Sequence, residues 1–171
     1  IGKDTVTGGE RSIALGIASA SKNDSISIGS YSTSSGVQAT SLGYQSKATG
    51  NNAVGIGYHY LGGGAGGNAS LAIGTYTDTS GTGATAIGYA ASASANYSVA
   101  FGGFYAKATS IYAMAFGKST VSGESSVGFN LDQESAAYVL SRPMTFGIGR
   151  GSTEVFSVSG SGLISGSATS T

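Results

Sequence analysis

The sequence predicts an all-β protein, a β-solenoid whose coils are each about fourteen residues long. The first observation is a short motif, small–apolar–small–apolar–Gly, which recurs along the chain, for example at residues 70–74 (SLAIG). The second is the spacing of the glycines that close the clear copies, which is 13, 14, 14, 17, 14, 14 and 15 residues. These glycines are Gly16, Gly29, Gly43, Gly57, Gly74, Gly88, Gly102 and Gly117.

Within each motif the apolar residues occupy positions i and i+2, the period of a strand with one buried face. We therefore expect the two apolar side chains to supply the core, and the small residue between them to allow close approach of another backbone. The closing glycine indicates a positive φ or a site with no room for a Cβ. The second half of a unit, as in residues 44–50 (YQSKATG), alternates more weakly, with small Ser and Ala inside. Two short strands and two turns then make one coil, and the coils stack as parallel strands.

A core of this kind is thin, because each coil supplies two medium-sized apolar residues and a few alanines. Apolar burial stabilises by about 25 cal/mol per Å², whereas ordering the backbone costs about 1–2 kcal/mol per residue. We therefore expect partner chains to bury a second face.

Composition excludes several classes of protein. Eight Lys and Arg balance eight Asp and Glu, and 9% of the residues are charged. A neutral chain of low charge offers no electrostatic footprint for nucleic acid or anionic lipid. The chain has no cysteine, no apolar run long enough to span a bilayer and no apolar signal segment at its start. We expect no nucleic-acid partner and no direct membrane contact by this fragment.

No motif predicts an enzyme, a metal site or a cofactor. The acidic residues are scattered rather than paired for acid–base chemistry. The single histidine, His59, has no partner ligands at metal-binding spacing. The glycine-rich residues 62–67 precede no helical pattern, so they do not predict a dinucleotide site. They also match the calcium-binding nonapeptide only once, without its aspartate. We expect no catalytic, cofactor-binding or metal-binding residues.

Two groups of residues are candidates for ligand contact. Tyr58, His59 and Tyr60 lie in the stretch that lengthens one coil to seventeen residues, where we expect an outward loop. The alternative is an insertion tolerated at a corner of the solenoid. A further set of tyrosines follows the closing glycines by one or two residues, so stacking of the coils would align them as a ladder: Tyr31, Tyr44, Tyr58, Tyr76 and Tyr89, continued by Phe104-Tyr105. Such a row could bind sugars or an apolar surface by stacking, or cover the edge of an interface between chains.

Residues 12–130 resemble the YadA-like head of trimeric autotransporter adhesins, whose repeats read Asn-Ser-Val-Ala-Ile-Gly. The most similar copies are residues 68–74 (NASLAIG) and 96–102 (NYSVAFG). The resemblance implies a left-handed parallel β-roll and a side-by-side homotrimer, so that two further copies of the chain are partners. It also implies adhesion through a neutral Ser/Thr/Tyr surface to a matrix protein or a cell-surface glycan. The implied location is the cell surface, on a parent chain anchored in a bacterial outer membrane.

The chain divides into four parts by sequence pattern. These are an N-terminal lead-in (1–11), the head repeats (12–130), a small separate β module or neck-like connector (131–164) and a linker (165–171). The C-terminal pattern is similar to modules of phage tail fibres, so a receptor-binding or spacer segment of a tail fibre is the alternative function. An ice-binding solenoid is a third hypothesis, which the uneven phase of the threonines disfavours.

Overall fold

A computed structural model describes residues 2, 5–17, 20–60, 63–131 and 137–166. Within these residues the protein is a parallel β-solenoid without α-helix, as the sequence predicts. No described segment forms a helix long and apolar enough to cross a bilayer. The expected linker residues from 167 onward lie outside the described part, as do Leu61 and Gly62 of the lengthened coil.

The strands, numbered along the chain, alternate between two sheets, so that each coil contributes one strand to each. The odd-numbered strands from β1 to β19 form a 10-stranded sheet, here called the narrow sheet. They are β1 (Val6–Thr7), β3 (Ala20–Ser21), β5 (Thr33–Ser34), β7 (Lys47–Ala48), β9 (Gly64–Ala65), β11 (Asp78–Thr79), β13 (Ser92–Ala93), β15 (Lys107–Ala108), β17 (Ser119–Val121) and β19 (Tyr138–Leu140).

The other strands form a 12-stranded sheet, here called the wide sheet. They are β2 (Ile13–Leu15), β4 (Ile26–Ile28), β6 (Thr40–Leu42), β8 (Val54–Tyr58), β10 (Leu71–Thr75), β12 (Thr85–Tyr89), β14 (Val99–Gly102), β16 (Met114–Phe116), β18 (Val127–Asn130), β20 (Thr145–Arg150), β21 (Thr153–Ser159) and β22 (Ile164–Gly166). Parallel pairing runs from β2 to β20 and keeps equivalent residues in line: Ile73, for example, pairs with Ile56 on one side and Ile87 on the other.

The interior of the roll is lined by small residues, not by the larger aliphatic ones. The small residue between the two apolar positions of each motif faces inward and is buried, as Ala72 and Ala86 illustrate. The apolar pair on either side of it faces outward. The expectation that this pair supplies the core is therefore wrong for the single chain, whose interior is filled mainly by the small inward residues. The inward Ser46 and Ala48 of the second half-unit agree with the sequence analysis.

Interior chemistry changes along the roll. In the first coils many of the buried side chains are serines that bond one another, with Ser27 Oγ 2.8 Å from Ser32 Oγ and 3.1 Å from Ser41 Oγ. From Ala84 to Ala115 the buried apolar side chains are all alanines, with Ser98 buried among them. Larger side chains are buried near the C-terminal end, at Val121, Tyr138 and Leu140, and at one place in the middle of the roll, His59.

The closing glycines bring the backbones of successive coils together at one corner of the roll. From Gly29 to Gly88 they have φ between 123° and 132°. Residues other than glycine rarely adopt this backbone conformation. A Cβ on Gly74 would overlap the carbonyl oxygen of Gly88, and one on Gly57 would overlap that of Gly74. Both readings of these glycines, a positive φ and no room for a Cβ, apply together.

Asparagines support the opposite corner. The Oδ1 of Asn68 accepts a hydrogen bond of 3.0 Å from the backbone N–H of Asn51 in the preceding coil. Asn51 does the same for Val37 at 3.0 Å, and Asn96 for Thr82 at 2.9 Å. Each asparagine therefore satisfies a turn donor that neither sheet can reach.

Both ends of the predicted repeat region belong to the same roll. In the expected lead-in, β1 pairs with β3, and a Cβ on Gly2 would overlap the carbonyl oxygen of Gly16, continuing the glycine contacts. Beyond residue 130, β19 pairs with β17 and β20 with β18, both in parallel. The strands β21 and β22 then extend the wide sheet antiparallel. The element at 131–164 is thus joined to the roll by hydrogen bonds rather than set apart from it; its residues 132–136 lie outside the described part.

A polar cluster closes the C-terminal end. The Tyr138 ring lies beneath β20, where a Cβ on Gly147 or Gly149 would overlap it. Its hydroxyl donates a 2.9 Å hydrogen bond to Glu154 Oε2. The same carboxylate pairs with Arg142 and accepts a 2.8 Å hydrogen bond from Ser157. Burial raises the pKa of the Tyr138 hydroxyl, and the Glu154 carboxylate adds to that rise.

Candidate functional site

The outer surface of the wide sheet carries two parallel ranks of side chains, all apolar except for two threonines in the first rank. The first rank is Ile13, Ile26, Thr40, Val54, Leu71, Thr85, Val99, Met114, Val127 and Phe146, and the second is Leu15, Ile28, Leu42, Ile56, Ile73, Ile87, Phe101, Phe116, Phe129 and Ile148. None of these side chains is buried, and Phe101 is 50% exposed. We call this surface the apolar face.

The two sheets differ in what they present outward. Neither rank of the apolar face contains a charged residue. The corresponding outward position of the narrow sheet carries Lys47, Asp78 and Lys107. Partial burial raises the pKa of the Asp78 carboxyl. A monomeric soluble protein rarely exposes a contiguous apolar patch of more than about 300–600 Å², so the apolar face has the character of an interface.

The predicted tyrosine ladder is present at the corner where the wide sheet turns toward the narrow sheet. Ring centroids are 6.0 Å apart for Tyr31–Tyr44, 5.7 Å for Tyr44–Tyr58, 5.4 Å for Tyr58–Tyr76 and 5.7 Å for Tyr76–Tyr89. Phe104 and Tyr105 continue the row from Tyr89, and Tyr60 stacks beside Tyr58 at 6.0 Å. We call these eight rings the aromatic ladder.

The ladder is wider than one column of side chains. Tyr31, Tyr76 and Tyr105 occupy the turn position whose backbone is left-handed, with φ of 54–59°. The rings of Tyr44, Tyr58, Tyr89 and Phe104 come from the position before it. The rings are open to solvent, from 38% exposed at Tyr89 to 54% at Tyr44, while Tyr58 is partly covered by its neighbours. Their crowding raises the pKa of the Tyr58 hydroxyl, mainly through lost solvation and further through Tyr76, Tyr44 and Tyr60.

His59 does not lie on an outward loop, and its assignment as a ligand contact is corrected. Its side chain is fully buried in the roll, at a place where neighbouring coils have Ser46 and Thr77. Nε2 lies 2.9 Å from Thr77 Oγ1, and Nδ1 lies 3.3 Å from the backbone nitrogen of Lys47. Burial lowers the pKa of His59 to about 4, with a further contribution from Lys47. The imidazole is therefore neutral near pH 7 and serves as interior packing.

Gly55 supplies the space that His59 fills. It occupies the inward position of β8, where most coils have Ala or Ser, and a Cβ there would lie 3.5 Å from His59 Cε1 and overlap the carbonyl oxygen of Lys47. The sequence held a signal for this, because Gly55 replaces the Ala or Ser that most copies have at the inward position, Gly128 being the other exception.

The described residues contain no group of three or more His, Cys, Asp or Glu side chains that could hold a metal ion. The surfaces with a distinctive character are thus the apolar face and the aromatic ladder. Sequence reasoning found the ladder but assigned the ranks of the apolar face to the interior.

Comparison with known protein families gives one match. The family model described as "YadA head domain repeat (2 copies)" matches residues 8–32, 34–59 and 80–104. Each match spans two coils. The longest glycine spacing, from Gly57 to Gly74, falls mostly in the unmatched stretch from 60 to 79, and the unmatched coils after residue 104 begin with a 15-residue spacing. No curated protein sequence matches the chain.

Proposed function

We propose, on the premise that this chain contains a YadA-like head domain, that it is a non-enzymatic, trimeric attachment module. Three copies would pack side by side with their apolar faces toward one another. The module would stand on a cell surface and hold the cell to a matrix protein, a glycan or another surface. The alternative of a tail-fibre segment uses the same trimer on a virion.

The apolar face is the observation that carries this proposal. Its two ranks run along the roll from Ile13 to Ile148, and none of their side chains is buried in the single chain. Fully burying an Ile, Leu or Phe side chain contributes about 1.5–3 kcal/mol. Because successive coils place their outward residues at the same two positions, an interface that forms at one coil continues at the next.

The positions of the charged residues also support a trimer in which the apolar faces meet. Lys47, Asp78 and Lys107 all lie on the narrow sheet, which would face solvent in such a trimer. A charge in the middle of a buried apolar interface costs several kcal/mol unless it is paired.

Attachment through such a module gains from repetition. Three identical rolls present the same weak contact sites together, and linked sites raise the overall affinity without any new contact. Loss of the trimer should therefore weaken attachment far more than loss of one contact residue.

The test is an attachment assay with two variants of one coil. Phe101→Asp places a charge on the apolar face at a half-exposed position, so the single chain tolerates it, whereas Lys107→Asp places the same residue on the narrow sheet. Beads carrying wild type or Lys107→Asp are expected to be retained on surfaces coated with matrix protein or with cell-surface glycans, and beads carrying Phe101→Asp to be released. Equal retention of the three, with Phe101→Asp monomeric, would contradict the proposal.

A further inference from the structure

We propose that the aromatic ladder is a binding platform for a neutral, extended polysaccharide that lies along the axis of the roll. The inference rests on the proposed function, since it names the ligand class of an attachment module. It assigns recognition to one corner of the roll rather than to the Ser/Thr surface as a whole.

The repeat of the ladder suits a polymer. Successive rings are 5.3–6.0 Å apart from Tyr31 to Phe104, slightly more than the coil spacing of about 4.8 Å. Sugar units of an extended polysaccharide repeat on a similar length. Their C–H faces pack on aromatic rings, so each coil can contact about one unit.

Ring orientation leaves faces available. Tyr31–Tyr44 and Tyr76–Tyr89 meet edge to face, with interplanar angles of 87° and 90°. The rings therefore do not close into one continuous stack. The parallel pair Tyr58–Tyr60 widens the platform at its middle.

The electrostatics favour an uncharged ligand. Between Ala48 and Ala106 the sequence has one charged residue, Asp78, and Asp78 lies in the narrow sheet rather than in the ladder. An acidic polysaccharide would require cations along its path, as would a phosphate-rich one.

The aromatic ladder differs from the apolar face in that most of its rings carry a hydroxyl group. Where the chain uses aromatic rings on the apolar face, they are phenylalanines in mutual contact, from Phe101 through Phe116 and Phe129 to Phe146. In the ladder every ring except Phe104 is a tyrosine. A phenol buried between protomers needs a hydrogen-bond partner, whereas a phenol beside a sugar finds hydroxyl partners on the ligand. This contrast favours a glycan over a second copy of the chain as the occupant.

The experiment measures binding of the wild-type chain to amylose, mixed-linkage β-glucan and galactomannan, with alginate as the acidic polymer, by affinity electrophoresis. The test variant is Tyr44→Ser/Tyr76→Ser/Tyr89→Ser. The matched control is Tyr97→Ser/Tyr112→Ser, which removes a stacked pair of rings, 5.4 Å apart, from the opposite corner. Sedimentation gives the mass of each variant.

The expected result is retention by at least one neutral polymer and not by alginate, an affinity loss of about tenfold or more in the ladder variant, and no loss in the control. Retention by none of the neutral polymers, or equal loss in the control, overturns the proposal and leaves the attachment module standing. A ladder variant that falls to the monomer mass also overturns it, because the rings then join protomers. A monomeric wild type is the distinct failure of the proposed trimer.

Discussion

His59 Nε2 lies 2.9 Å from Thr77 Oγ1 inside the roll, with the imidazole fully shielded from solvent. This large polar side chain, in a part of the roll whose other inward residues are small, therefore joins two successive coils. Its protonation state is tied to the integrity of the roll, because the charged form would be buried without an anionic partner among the described contacts.

Stability should decrease as the pH falls below about 6.5. The folded-state pKa of His59 is lowered to about 4, while the unfolded chain titrates near 6.5. The unfolded state thus binds the proton first, and the free energy of unfolding falls by about 2 kcal/mol per chain between pH 7 and pH 5. Denaturant unfolding at several pH values checks this. His59→Gln should flatten the profile in that interval; an unchanged slope would show that other groups set it.

Gly74→Ala should destabilise the protein by about 2 kcal/mol or more, because Gly74 has φ of 132° and a Cβ would overlap the carbonyl oxygen of Gly88. The matched substitution is Gly8→Ala. There a Cβ meets Ser21 at 3.4 Å, an ordinary contact, and the change should be close to neutral. Thermal unfolding at fixed protein concentration compares the two. Similar midpoints for both variants would refute the role given to the closing glycines.

The C-terminal end should depend on Tyr138 in two separable ways. Tyr138→Phe removes the hydrogen bond to Glu154 and should cost about 1 kcal/mol. Tyr138→Ala also empties the space beneath Gly147 and Gly149 and should cost about 3–5 kcal/mol. Hydrogen exchange should report the loss in β19 and β20 before the first coils. Tyr112→Ala, at an exposed ring, should change stability little. Equal effects of the two alanine variants would contradict the role of the buried Tyr138 ring in holding the C-terminal end together.

The repeat made the solenoid predictable, because the spacing of the closing glycines already sets one coil per motif. The repeat did not indicate which face of β10 is buried, because Leu71 and Ile73 alternate with Ala72 whichever face lies inside. The deciding signal was variation in volume. The side chains at the outward positions range in size from Thr40 to Phe101. The side chain at the inward position stays small in most coils, because it lies between the backbones of the two sheets.

The ladder was predictable for the same reason as the coils: tyrosines at a fixed distance after the glycines must line up. The burial of His59 was not predicted, because the lengthened coil indicated an outward loop, although Gly55, four residues earlier, leaves space for the ring. The continuation of the roll beyond Asn130 was also hidden. The motif there lacks its closing glycine, and the larger Tyr138 and Leu140 replace the small interior residues.

The most direct test of the account is the mass of the chain in solution, measured by sedimentation equilibrium. Three copies of the 16.7 kDa chain should give about 50 kDa for wild type and Lys107→Asp. Phe101→Asp should remain folded but sediment with a mass below that of the trimer. A stable folded wild-type monomer, with the apolar face open to solvent, would contradict the account.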